Sequence, residues 1–363
     1  MTTRLDFLAN FPQNQAANAL LATPYPNPNT FDNVFLAHLK EDSLKLAKTF
    51  AKNHATSFEY SHAEFLSLFC TLFSHHYHIL LSPSLSQQSF YAGKQFQALI
   101  PNGLSFLPLN QNGITESLSC NVPKSQKIAI FLPIINQDIL SCNPIESLID
   151  EALQLSQNAL IFCDISLFAS QLTQEGLAFL HTLAHPQVFF LCNGEHIGLM
   201  RKSAFILSDI TAHNHAINDY YSTQLLCPNL FKAAMKALED ILAIPPQEES
   251  KEAFFEQLTS HLKEHISLFS PLHLSAKNAL ALRFKHIKAR LFIQSLQIAG
   301  IYAINGSDCL FGHAKPSFVL SHMGYEEHIC RELLSVSYRE ITDIPALSAN
   351  IANTYLQLAQ FHT

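Results

Sequence analysis

The sequence predicts an α/β fold, a mixed and mostly parallel sheet flanked by helices, followed by a smaller α+β C-terminal domain. Three observations predict it. Short apolar runs bounded by polar or turn residues recur at 79–81, 128–132, 160–163, 188–191 and 205–207, the pattern of strands buried on both faces. Helical spacing fills intervals between them, over 145–157 and 172–183, as in strand–helix–strand units. After Leu230 the texture changes to long amphipathic stretches at 231–243, 251–268 and 276–299, interrupted by Ile244-Pro245-Pro246-Gln247.

In chain order, Asn27-Pro28-Asn29-Thr30 reads as a turn and helix cap, and Val34, Leu39, Leu46 and Phe50 give the stretch 31–53 helical spacing. The five strand runs follow. The Pro-Pro pair marks a boundary, so the expected units are an N-terminal segment 1–30, a large α/β domain 31–244 and a small α+β domain 245–363. The tail adds strands at 301–304 and 335–338 and a closing helix over 344–360.

A chain of 363 residues with 48% hydrophobic content and 28 phenylalanines can bury a large core. No run of about 18 uncharged apolar residues appears and the start soon turns polar, so the expectation is a cytoplasmic protein with no membrane contact. The net charge of −7 is dispersed, and the basic clusters Lys40–Lys52 and Arg283–Arg290 lie in amphipathic patterns, which argues against nucleic acid. Eight cysteines are scattered without a CxxC pair, and His75, His76, His78, His213 and His215 lack partners at metal-ligand spacing, so no metal site is expected. Only 10 glycines occur, fewer than the usual ~7%, so few loops can cradle a phosphate on bare backbone.

Three stretches together resemble the class V aminotransferases, and cysteine desulfurases in particular, across nearly the whole chain. Gly300 to Cys309, then Lys315-Pro316-Ser317 and Leu320 to Gly324, are similar to the family's Gly-Ser-Ala-Cys loop and the segment after it. Ile161-Phe162-Cys163-Asp164 looks like the strand whose aspartate holds the pyridinium nitrogen of pyridoxal phosphate (PLP). Asn193 to Gly198 resembles the Ser-x-His-Lys loop. Weaker matches are Asn27 to Thr30, Asn136-Gln137 and Ser222-Thr223. The resemblance implies a PLP-dependent transferase of fold type I, a homodimer with a shared site, and Cys309 at the thiol position. Asp164, Asn136, Gln87 and Thr223 then stand at cofactor-contact positions. Read from the residues alone, Asp164 equally suits capping of the following helix, and Cys309 an inert loop position.

The sequence departs from the family where the chemistry is done. His196 stands at the Schiff-base lysine and Glu195 at the histidine before it, and an imidazole has no primary amine to condense with an aldehyde. Lys202, six residues on, is the nearest substitute. The phosphate cup becomes Ser61-His62-Ala63, the ring-stacking histidine Gln87, the glutamine after the aspartate Leu167, and the substrate-binding arginine Ser335, whose hydroxyl cannot copy a bidentate guanidinium. The expectation is a cysteine desulfurase-like protein that has lost PLP catalysis and acts as a binding or scaffolding subunit. Its expected partners are a second copy, an active paralogue or a sulfur-acceptor protein. The alternative is an active sulfurtransferase or lyase that uses Cys309 as its thiol.

Overall fold

A computed structural model describes residues 2–23, 33–118, 127–209, 220, 227, 229–306 and 315–360. Its first half contains β1 (Thr3–Arg4), α1 (Gln15–Leu21), α2 (Asn33–Thr49), β2 (His54–Phe58), α3 (His62–Ser74), β3 (Tyr77–Leu81), α4 (Gln87–Leu99) and β4 (Leu104–Phe106). There follow β5 (Lys127–Pro133), α5 (Ile145–Leu155), β6 (Leu160–Asp164), α6 (Ser166–Ala169), α7 (Gln174–Thr182), β7 (Val188–Asn193) and β8 (Ala204–Ser208). The remainder holds helices Leu230–Leu242 and Lys251–Leu262, β9 (Ile266–Leu268), β10 (Ala279–Phe284), helix Ala289–Ile298, β11 (Ile301–Tyr302), β12 (Leu333–Ser337) and helix Ile344–Ala359.

Seven strands form one sheet in the order β2-β8-β7-β6-β5-β3-β4. All pairs are parallel except those of β8, which runs antiparallel to β7 and β2. The sheet is buried on both faces, which is why β5, β6 and β7 show no apolar–polar alternation. Ile130, Ile161, Cys163 and Phe190 face one cluster, which receives Leu39 and Leu46 of α2 and Phe50 just after it. Phe131, Phe162, Phe189 and Leu191 face the other, under Phe65, Phe69 and Leu72 of α3. The parallel strands deliver their carboxyl ends to one edge, where loops of an open α/β sheet gather functional residues.

A three-stranded antiparallel sheet, β12-β10-β9, carries a separate core with helices Lys251–Leu262, Ala289–Ile298 and Ile344–Ala359 packed on it.

 The residues of Ile344–Ala359 that reach this core are Leu347, Ile351 and Tyr355. The N-terminal strand β1 pairs in parallel with β11, and Asp6 bridges to Ser337 at the end of β12. The segment then crosses to the large sheet's side, where Asn14 caps α1 and its N–H donates to the Gly198 carbonyl at 2.8 Å.

Two expected helices are corrected. The stretch 276–299 is a strand followed by a helix: Asn278 and His286 adopt left-handed conformations, and Ala279 to Phe284 fill the place between β9 and β12. Alanine and leucine favour helix, but two flanking strands decide the outcome. In the stretch 251–268 the α-helix ends at Leu262, a 3-10 turn follows over Lys263–His265, and Ile266–Leu268 joins the sheet as β9. The strands β2 and β4 and the helices α3 and α4 have no counterpart in the sequence reading, because β2 is short and half polar and α3 is apolar nearly all round. Asn27 to Thr30 lies outside the described residues.

Candidate functional site

Asp164 ends β6 and is 3% exposed. Its carboxylate is fully engaged. Oδ1 accepts the Ser166 N–H at 2.8 Å, which caps the first turn of α6. Oδ2 accepts the Tyr60 hydroxyl in a short hydrogen bond, and Gln137 Nε2 approaches the same oxygen at 3.4 Å and the phenol oxygen at 3.3 Å. Burial raises the Asp164 carboxyl above the usual carboxylate value, while its bonds to Ser166 and Tyr60 pull the other way. Burial, with the negative charge of Asp164, also holds the Tyr60 phenol well above its usual value, so it remains a donor.

His196 sits in the turn between β7 and β8, which two glycines make possible. A Cβ on Gly194 would lie 1.9 Å from the Ser203 carbonyl oxygen, and Gly198, at φ +85°, would bring one to 2.6 Å from the Pro12 carbonyl oxygen. His196 Nδ1 lies 2.7 Å from the Leu8 carbonyl oxygen, and because a carbonyl only accepts, Nδ1 carries the proton. Leu8 is itself tied to the small sheet, its N–H donating to Ser337 Oγ at 2.9 Å. The N-terminal segment therefore joins the His196 turn to β12.

These residues border a cavity of about 60 Å³, whose walls include Tyr60, Gln88, Gln137, His196, Ile304 and Ser335. Tyr60 and Leu8 are absent from the sequence reading. Tyr60 directly precedes Ser61-His62-Ala63, so a strand assigned at β2 would have pointed to it; Leu8 acts through its carbonyl, which leaves no mark in the sequence. Asn136 is placed beside this cavity but turned to the backbone: Oδ1 accepts the N–H groups of Asp138 and Ile139 at 3.0 and 3.1 Å, and Nδ2 donates to the Gly113 carbonyl at 2.8 Å. Gln87 opens α4 with Oε1 enclosed and unpaired, and its neighbour Gln88 reaches the cavity. Ser335 Oγ donates to the Asp138 carbonyl and accepts the Gly306 N–H. Lys202 is turned outward, its ammonium 2.8 Å from Glu59. Cys309 and Thr223 lie outside the described residues.

No protein-family model and no curated protein matches the sequence. Solved structures do match. A NifS-like protein superposes with a TM-score of 0.70 at 15% identity, covering 99% of this chain and 100% of that one. The NifS-like protein of Rickettsia africae ESF-5 gives 0.68 at 13% identity, covering 99% and 100%. The apo cysteine desulfurase of Thermococcus onnurineus NA1 gives 0.70 at 12% identity, covering 98% and 95%. The chain has the cysteine desulfurase-like fold. It is the PLP-dependent transferase fold of type I, as the sequence resemblance implies. Among the described residues no helix is long and apolar enough to cross a membrane.

The cysteine desulfurase-like fold does not bring with it a site that suits PLP. The carboxylate that would face the pyridinium nitrogen is taken by Tyr60. The turn that would offer an amine offers an imidazole bonded to the chain's own Leu8. At the start of α3, Ser61 Oγ accepts the Glu64 N–H at 3.3 Å, so the helix caps itself where a phosphate would dock. At about 60 Å³ the cavity holds a handful of waters, each needing roughly 10–15 Å³, and a phosphorylated pyridine needs several times that.

The His196 turn has a pH signature. Burial lowers the imidazole below its ordinary value of 6.5, against the opposing pulls of Leu8, Asp164 and Glu195. On acidification the unfolded chain takes up a proton near 6.5 that the folded chain refuses, so this residue's contribution falls as pH drops below that value. Asp164, raised in the folded state, works in the opposite direction as pH approaches the unfolded carboxylate value of 3.8. His196→Gln, which keeps a donor for Leu8 but cannot titrate, should therefore flatten the stability profile between about pH 7 and about pH 5, by at most about 1.4 kcal/mol per pH unit. Urea unfolding across that range measures it, and an unchanged slope refutes it.

Proposed function

We propose that this chain works without PLP catalysis and serves as a binding or scaffolding subunit, either as a homodimer or beside an active paralogue. The observation that carries the reading is the paired replacement at the sheet's carboxyl edge: His196 in place of an amine, bonded to Leu8, and Tyr60 bonded to the Asp164 carboxylate. Each substitution removes a separate requirement. An imidazole cannot condense with the cofactor's aldehyde, and a carboxylate held by a phenol is not available to a ring nitrogen. Lys202, paired with Glu59 on the surface, supports no substitution for the missing amine. What remains at that edge is a set of buried polar groups, Tyr60 with Asp164 and His196 with Leu8, that satisfy one another, a pattern suited to holding shape.

The test uses the full chain. Protein incubated with excess PLP, treated with borohydride and dialysed should retain no cofactor absorbance and yield no PLP-labelled lysine peptide by mass spectrometry. A stoichiometric label on one lysine would overturn the proposal. Sedimentation equilibrium of the same preparation is expected to give the mass of two chains, and a single-chain mass would overturn the homodimer.

A further inference from the structure

A second cavity, of about 80 Å³, lies away from the His196 turn, between the N-terminal segment, the end of helix Leu230–Leu242 and the edge of the small sheet. Phe7, Leu172, Ile241 and Ile244 form its apolar wall, and among the described residues Lys277 and Arg339 are the charged ones that line it. The chain as a whole carries 29 acidic against 22 basic side chains, so a cavity with two cations and no carboxylate runs against the overall balance.

Both cations line the cavity from one corner, where the turn before β10 meets the residues after β12. β10 and β12 pair with Ala279 opposite Ser337, and the Tyr338 N–H continues the ladder by donating to the Asn278 carbonyl at 3.1 Å. Lys277 precedes and Arg339 follows this last bonded pair. Asn278, 2% exposed, anchors this corner, donating from Nδ2 to the Arg339 carbonyl at 3.4 Å and accepting the Ser250 N–H at 2.9 Å. The Lys277 carbonyl accepts Gln171 Nε2 at 3.0 Å. Glu249, a carboxylate of the neighbouring connector, is paired with Lys251 at 2.8 Å, and neither Lys277 nor Arg339 has an ion-pair partner among the described residues. Two like charges lining one cavity with no carboxylate to offset them repel, and an anion there is attracted by both.

We propose that this cavity binds a short-chain carboxylate, with its head between Lys277 and Arg339 and its tail on Phe7, Leu172, Ile241 and Ile244. The volume, equal to roughly five to eight waters at 10–15 Å³ each, suits a tail of four or five carbons. Isothermal titration calorimetry on the full chain tests it; the sequence has no tryptophan to report binding by fluorescence. Isovalerate should bind, and its neutral isostere isovaleramide should bind at least about tenfold more weakly. Acetate should lose roughly fourfold for each tail carbon removed. Lys277→Ala and Arg339→Ala should each weaken isovalerate about tenfold, and both side chains are exposed, so neither change disturbs the core. No binding of isovalerate, equal binding of the amide, or full binding by the double variant would each overturn the proposal.

Discussion

Tyr60→Ala is expected to lower the free energy of unfolding by about 3–5 kcal/mol, and Tyr60→Phe by about 1–3 kcal/mol. The ring is 5% exposed and packs edge-on against Phe65, with centroids 5.1 Å apart, so truncation opens a cavity under α3. The smaller change isolates the hydroxyl. Without it, Asp164 Oδ2 keeps only the long contact from Gln137, and a buried carboxylate loses its strongest partner. Asp164→Asn completes a double-mutant cycle. If phenol and carboxylate act as a unit, the double variant costs less than the two single changes together by more than about 0.5 kcal/mol. Urea denaturation followed by circular dichroism gives the four values, and strict additivity would remove Tyr60 from its assigned place.

This cycle also bears on the proposed reading of His196 at the Schiff-base position that the resemblance implies. If His196 were an isolated change, Asp164 would stand open, and His196→Lys alone would suffice to rebuild the cofactor's attachment. With Tyr60 on the carboxylate and Leu8 on the His196 turn, the attachment requires both of these contacts to give way as well.

The large sheet was legible because its central strands are continuous apolar runs, such as Ile128 to Leu132 and Val188 to Leu191, and burial on both faces leaves that pattern. The short strand β2 was not: His54, Thr56 and Ser57 dilute its apolar residues, although all but His54 are buried. Missing β2 hid Tyr60, the residue that most alters the site. Asp164 was found from its strand, with both readings of it open, and it does cap the Ser166 turn. The role of Leu8 was out of reach, since a main-chain carbonyl brought 188 positions along the chain to His196 depends on the packing of the whole N-terminal segment. In 276–299 local preference pointed to helix and lost to the ladder partners of β10.

Phe162→Ala is expected to cost about 3–5 kcal/mol. Phe131, Phe162 and Phe189 stand at paired positions on β5, β6 and β7, so their rings stack along one face of the sheet. Phe162 is the middle ring, 4.4 Å and 3° from Phe131 and 4.9 Å and 21° from Phe189, and it is 1% exposed. Removing it leaves a cavity bounded on two sides by rigid rings on hydrogen-bonded strands, which cannot close over it, and forfeits two ring pairs worth about 0.5–1.5 kcal/mol each beyond their buried area. Asp164 lies two residues on along the same strand, so the loss should also loosen the Tyr60 bond. Phe73, 38% exposed at the end of α3, supplies the comparison: Phe73→Ala should cost about 1 kcal/mol or less. Equal costs at the two sites would show that the aromatic ladder does not hold the strand ends in place.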